Sequence, residues 1–111
     1  MSTKEPIKIG EKWTVDRDVD EISYYLADIT QELIDRATTA VSVVLVLVGV
    51  AQVEQPSIEV ATLEGVERIY VVALLGPVAE KPPADWRWVA RVTCANGERF
   101  DKTTWFNEVD P

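Results

Sequence analysis

Trp86-Arg87-Trp88-Val89-Ala90-Arg91-Val92-Thr93-Cys94, followed by Ala95-Asn96-Gly97 and a second run from Glu98 to Phe106, decides the fold class. Trp86, Trp88, Ala90, Val92 and Cys94 fall on one side of an extended chain, and Arg87, Val89, Arg91 and Thr93 on the other. Side chains on a strand alternate between faces, so this pattern reads as a strand with one face in a core. Asn-Gly between two such runs is a strong hairpin signal, because a type I′ turn needs positive φ at both central residues. A two-residue loop at 96 and 97 sets Trp88 opposite Trp105, Val89 opposite Thr104 and Thr93 opposite Phe100. It also sets Arg91 opposite Lys102, and facing like charges are unfavourable. A longer loop or a slipped register therefore stays open.

The same reading extends outward. Val41–Val50 is dense in β-branched residues and apolar on both faces, which predicts a central strand covered on two sides or one that ends beneath another chain. Gly49 marks a bend or bulge in it. Glu21–Ile29 alternates, with Ile22, Tyr24 and Leu26 on one face and Ser23, Tyr25 and Ala27 on the other. Thr30 is placed to cap a helical turn or two over 30–36, with Leu33 and Ile34 as its apolar contacts; a loop is the other reading. After Pro56, Ile58 and Val60 read as inward-facing and Glu59 as outward. Leu63-Glu64-Gly65-Val66 holds a turn, and Glu67–Leu75 is a further strand ended by Gly76-Pro77. Lys81-Pro82-Pro83 reads as a polar connection.

Toward the start, 1–15 reads as an extended arm with a possible first strand at Lys12–Val15, and Asp16-Arg17-Asp18 as a turn. Residues 16–106 form one domain and 107–111 a tail. The sum, about six or seven short strands and little helix, predicts an all-β protein built as a sandwich or small barrel.

With 111 residues, one such domain accounts for the whole chain. The formal charge of −8, from 19 acidic and 11 basic residues with no basic stripe, argues against a nucleic-acid partner, because phosphate binding depends on lysine and arginine. Met1–Glu11 lacks the apolar core of a secretory leader, and no leader is expected. The most apolar stretch, Ala40–Ala51, is shorter than the roughly 20 residues a membrane helix needs. No membrane partner is expected.

There is no histidine, which removes the commonest general base and zinc ligand and every Ser–His or Cys–His nucleophile pair. Cys94, the single cysteine, lies on the apolar face of its strand and reads as a small buried hydrophobe. Asp16-Arg17-Asp18-Val19-Asp20 opens like a calcium loop, but the sixth and twelfth positions hold Glu21 and Ala27 where glycine and glutamate are required. The five glycines are isolated, so no phosphate-cradling loop exists. Neither enzymatic activity nor a metal or cofactor is expected. Of the four tryptophans, Trp86, Trp88 and Trp105 read as core and hairpin packing. Trp13, beside a polar arm, reads as a subunit contact.

Several stretches together resemble the fibre–tail adaptor family of double-stranded DNA bacteriophages, small tail proteins with an immunoglobulin-like sandwich. They are Ile22-Ser23-Tyr24-Tyr25-Leu26-Ala27-Asp28-Ile29, Ala37-Thr38-Thr39-Ala40-Val41-Ser42, the strand ending Gly49-Val50, Ile69-Tyr70-Val71-Val72-Ala73-Leu74-Leu75-Gly76, and the hairpin from Trp88 through Asn96-Gly97-Glu98-Arg99. The resemblance implies an immunoglobulin-like β-sandwich that serves as a virion part. It would be made in the bacterial cytoplasm and placed between tail and fibre proteins, in several copies around a ring. It carries over no catalytic residue. A capsid decoration protein and a carbohydrate-binding sandwich are the alternatives; the second needs a row of exposed tryptophans. The residues expected at protein contacts are Ile7, Ile9 and Trp13 of the arm and Val44, Val46 and Val48 of the apolar strand.

Overall fold

The computed structural model describes residues 3–9, 12–17, 22–76 and 85–108. Ten strands and one short helix follow in the order β1 (Thr3–Lys4), β2 (Ile7–Ile9), β3 (Lys12–Arg17), β4 (Ser23–Asp28), α1 (Thr30–Asp35), β5 (Ala40–Val48), β6 (Ala51–Gln52), β7 (Ser57–Leu63), β8 (Val66–Gly76), β9 (Arg87–Cys94) and β10 (Arg99–Glu108). They form two mixed five-stranded sheets. In sheet A the order is β1-β4-β8-β6, with β7 also on β8; in sheet B it is β2-β3-β10-β9-β5. The chain is mostly β, as the alternation predicts.

The inward-facing residues of both sheets meet in one core. Tyr25 and Ala27 of β4 and Val71, Ala73 and Leu75 of β8 face Trp88, Ala90, Val92 and Cys94 of β9, with Phe100 and Phe106 of β10. Phe106 anchors one end, edge-on to Tyr25 at 5.4 Å and tilted against Trp86 at 5.1 Å. The predicted inner face of 86–94 is thus the buried one. Trp88 is fully buried, yet its indole Nε1 and the hydroxyl of its cross-strand partner Thr104 make no hydrogen bond. A polar atom left so costs about 1–3 kcal/mol.

The closing hairpin is not the type I′ turn its dipeptide suggests. Arg99 pairs with Thr93, Asp101 with Arg91 and Thr104 with Trp88, one residue away from the two-residue register. The Gly97 amide donates to the Cys94 carbonyl at 3.0 Å, and the Cys94 amide to the Glu98 carbonyl at 2.8 Å. Only Gly97 of the loop has positive φ, at 89°, so Ala95-Asn96-Gly97 forms a three-residue loop closed by a left-handed glycine. Asn96 is held elsewhere: its amide donates to Thr38 Oγ1 at 3.2 Å and its side chain to the Arg36 carbonyl at 3.4 Å. The shift exchanges the unfavourable Arg91–Lys102 pairing for Arg91 opposite Asp101.

A type I′ turn closes the β7–β8 hairpin. Leu63 pairs with Val66, and Glu64 and Gly65 between them have φ of 51° and 79°.

Helix α1 spans the expected turn, but Thr30 does not cap it. The Thr30 hydroxyl accepts the Ile69 amide of β8 at 2.8 Å, while Asp28 Oδ1 accepts the Thr30 amide at 2.9 Å. Leu33 is buried and Ile34 exposed. The helix closes with two reverse bonds, Ala37 amide to Ile34 carbonyl and Thr38 amide to Leu33 carbonyl, around Ala37 at φ 51°. This is the pattern that usually places glycine at the left-handed position.

The segment read as an arm is drawn into both sheets. β1 lies parallel to β4, β2 antiparallel to β3, and β3 parallel to β10. Asp16 and Arg17, expected in a turn, end β3, and Asn107 and Glu108, expected in the tail, pair with them. The rest of that turn, the connection at 81–83 and residues 109–111 lie outside the described residues.

Candidate interaction surface

β5 pairs with β9 on one side and, among the described residues, is otherwise the edge of sheet B. This corrects the expectation of a central strand. A run that is apolar on both faces reads as doubly covered, but here one of its faces is open. The register decides which: Val43, Leu45 and Leu47 sit opposite the inward Val92, Ala90 and Trp88, and Val44, Val46 and Val48 opposite Arg91, Val89 and Arg87. The second row points away from the core. Val44 is 61% exposed and Val46 38%, with Val48 half-buried.

Natural sheet edges are commonly guarded by lysine, proline or a bulge that discourages a further strand. β5 has a bulge at its start, between Ala40 and Ser42, and no charge or proline anywhere in its nine residues.

Beside the valines the outer face of sheet B is basic. Arg87, Arg91 and Arg99 lie on it with Asp101, and Asp85 stands beside Arg87. Arg91 grips Asp101 with two bonds, Nε to Oδ1 at 3.0 Å and Nη2 to Oδ2 at 3.2 Å. That pairing raises the arginine pKa and lowers the carboxyl's, the direct hydrogen bond being the largest cause in each case. Arg87 sits over the Trp105 ring, 5.1 Å from its centre, and bonds Asp85 Oδ2 at 3.1 Å.

The other expected contact residues lie apart from this row. Ile7 and Ile9 are on β2, at the opposite edge of sheet B, in register with Thr14 and Lys12. Trp13 is half-buried at one end of the space between the sheets. It lines a cavity of about 200 Å³ with Asp28, Gln31, Glu32, Arg68 and Lys102. Charges there are matched: Lys102 meets Glu32 at 2.6 Å and lies 4.6 Å above the Trp13 ring, and Arg68 meets Asp28 at 3.5 Å. The space is smaller than the roughly 300–1,000 Å³ of ordinary small-molecule sites. Trp86 and Trp88 are core residues, which leaves no row of four tryptophans on the surface. Cys94 is buried, and among the described residues no group of three or more acidic or cysteine side chains is placed to hold a metal ion. Among the described residues no helix is long and apolar enough to cross a membrane.

One surface escaped the sequence reading. β4 pairs with β8 only as far as Tyr70, so Val66–Arg68 pair with β7 alone. The β7–β8 hairpin runs beyond the sheet there, and Val60, expected inward, is 61% exposed. Leu63 and Val66 at its turn are each 54% exposed. Two apolar runs around Glu64-Gly65 were visible in the sequence; their length relative to the neighbouring strand was not. Comparison with protein families, curated proteins and solved structures finds no match for this chain.

Proposed function

We propose that the chain is a non-enzymatic virion protein of a double-stranded DNA bacteriophage, an adaptor between tail and fibre proteins with an immunoglobulin-like β-sandwich. The observation that carries a docking role is the outward valine row on an edge without charge or proline, Val44, Val46 and Val48 on β5. A small domain with an apolar face of this kind gains by covering it with another protein. Strand order supports the immunoglobulin-like part: β4-β8-β7 and β10-β9-β5 follow the B-E-D and G-F-C orders of such sandwiches. The parallel pairing of β1 with β4 is this chain's own departure. The tail placement rests on the sequence resemblance. Its partners are other tail, connector or fibre proteins in a ringed arrangement. With a charge of −8, a nucleic-acid partner is disfavoured.

Mass spectrometry and labelled-antibody electron microscopy of purified phage particles test the reading. The expected result is label where fibres join the tail. Label over the head makes the chain a decoration protein, and absence from the particle overturns the virion reading altogether.

A further inference from the structure

We infer that copies of this chain associate head to tail, the β7–β8 hairpin tip of one copy seating on the outer face of sheet B of the next. This deepens the docking reading of that face by naming a second copy as its occupant; it does not depend on the virion.

The two surfaces match in kind and oppose in charge. The tip presents Leu63 and Val66 on one face and Val60 on the other, all more than half exposed. Between Ser57 and Arg68 it carries three acids, Glu59, Glu64 and Glu67, against Arg68, a local balance of −2. Arg68 already faces Asp28 of its own chain. The outer face of sheet B presents Val44 and Val46 among Arg87, Arg91 and Arg99, with Asp101 against Arg91 and Asp85 against Arg87, a local balance of +1. In a chain of net charge −8 such a face is a reversal of the general field. Complementary potentials of this sort orient an encounter and select a partner.

Geometry makes the contact intermolecular. The tip extends sheet A, while the face in question is the side of sheet B turned away from sheet A. A chain cannot lay its own tip there. The two patches also differ, so the contact is heterologous and repeats from copy to copy, closing into a ring or running on as a filament.

Sedimentation velocity on the full chain, up to about 1 mM, is the test. The expected result is association that grows with concentration and weakens as salt screens the charges. Two double variants separate the halves: Leu63→Asp with Val66→Asp on the tip, and Val44→Asp with Val46→Asp on the face. Each alone should associate at least about tenfold more weakly, the loss of one good contact's worth of affinity. Mixed, they retain one intact tip and one intact face, and should form a pair that grows no further. Circular dichroism checks the fold; should the valine variant unfold, Arg99→Glu replaces it on the same face. A wild-type chain that stays monomeric overturns the inference, as do variants that associate like wild type, or a mixture that forms no pair. A monomer in solution that is nonetheless found in the tail defeats this inference alone. A self-associating chain absent from particles defeats only the virion reading.

Discussion

Two hairpins in this molecule use similar strand residues and come to opposite ends. β9–β10 turns through Ala95-Asn96-Gly97 and puts Trp88, Ala90, Val92 and Phe100 into the core. β7–β8 turns through Glu64-Gly65 and, in its outer half, leaves Val60, Leu63 and Val66 in solvent. Both turns end on a left-handed glycine. The difference is opposition. β9 and β10 face β4 and β8 across the core, whereas 60–68 run past the end of β4. A hairpin's local chemistry sets its turn, and the length of its neighbours decides whether its valines are core or exposed.

The sharpest way to break this contrast is to truncate one residue in each hairpin. Trp88→Ala removes a fully buried ring and should cost about 3–5 kcal/mol in urea unfolding. Val60→Ala should stay within about 0.5 kcal/mol, as surface changes do. Equal losses would mean that the outer hairpin is as integral as the inner one.

The glycines sharpen the comparison further. Neither Gly97 nor Gly65 has an atom within 4 Å of an added Cβ, so only backbone strain is at issue. Gly97→Ala should lower global stability by about 1–2 kcal/mol, the strain of a left-handed residue with a side chain. Gly65→Ala should show mainly as faster hydrogen exchange over 58–68, because that stretch can open locally.

A smaller effect of opposite sign belongs to the inner hairpin. Thr104→Val removes a buried hydroxyl without a partner and should raise the unfolding free energy by about 1 kcal/mol at most, read as a higher urea midpoint. A loss of stability would show that the hydroxyl has a role in the fold.

The smallest effect is pH-dependent. Asp101 has its pKa lowered chiefly by the Arg91 hydrogen bond, so its contribution is complete above the ordinary aspartate value of about 3.9. It is lost as pH falls below that value through the depressed one. Both side chains are nearly half exposed, so solvent screens the pair and the effect is small. Asp101→Asn should therefore be slightly less stable than wild type at pH 7, with the gap closing in acid and at high salt.

How far the fold was legible follows the same division. The alternation at 86–94 names the buried face of β9 correctly, because burial there is a property of a single strand. The register does not follow from Asn96-Gly97, since Asn96 is engaged by Thr38 and Arg36, far away in sequence. The mismatch of Arg91 with Lys102 was a usable warning, and Asp101 one position earlier supplies its remedy. For β5, composition identifies a strand but not its neighbours, and an edge beneath nothing looks like a centre beneath two layers. The parallel pairings of β1 and β3 join distant segments and leave no local pattern at all. Of the exposed apolar positions, the shared face of Val44 and Val46 was legible because residues at alternate positions of a strand lie on one side. The arginines beside them were not, since they lie on another strand.

The charge-free flank of β5 makes ionic strength a means of telling two kinds of clustering apart. Ordered stacking through opposite charges loosens as sodium chloride is added, because its attraction is screened. Strand-on-strand clumping through uncharged Ala40–Val48 instead worsens, because added ions silence the repulsion between bodies that each carry −8. Turbidity that climbs with salt thus reports spoilage of a stored sample, and turbidity that clears reports assembly.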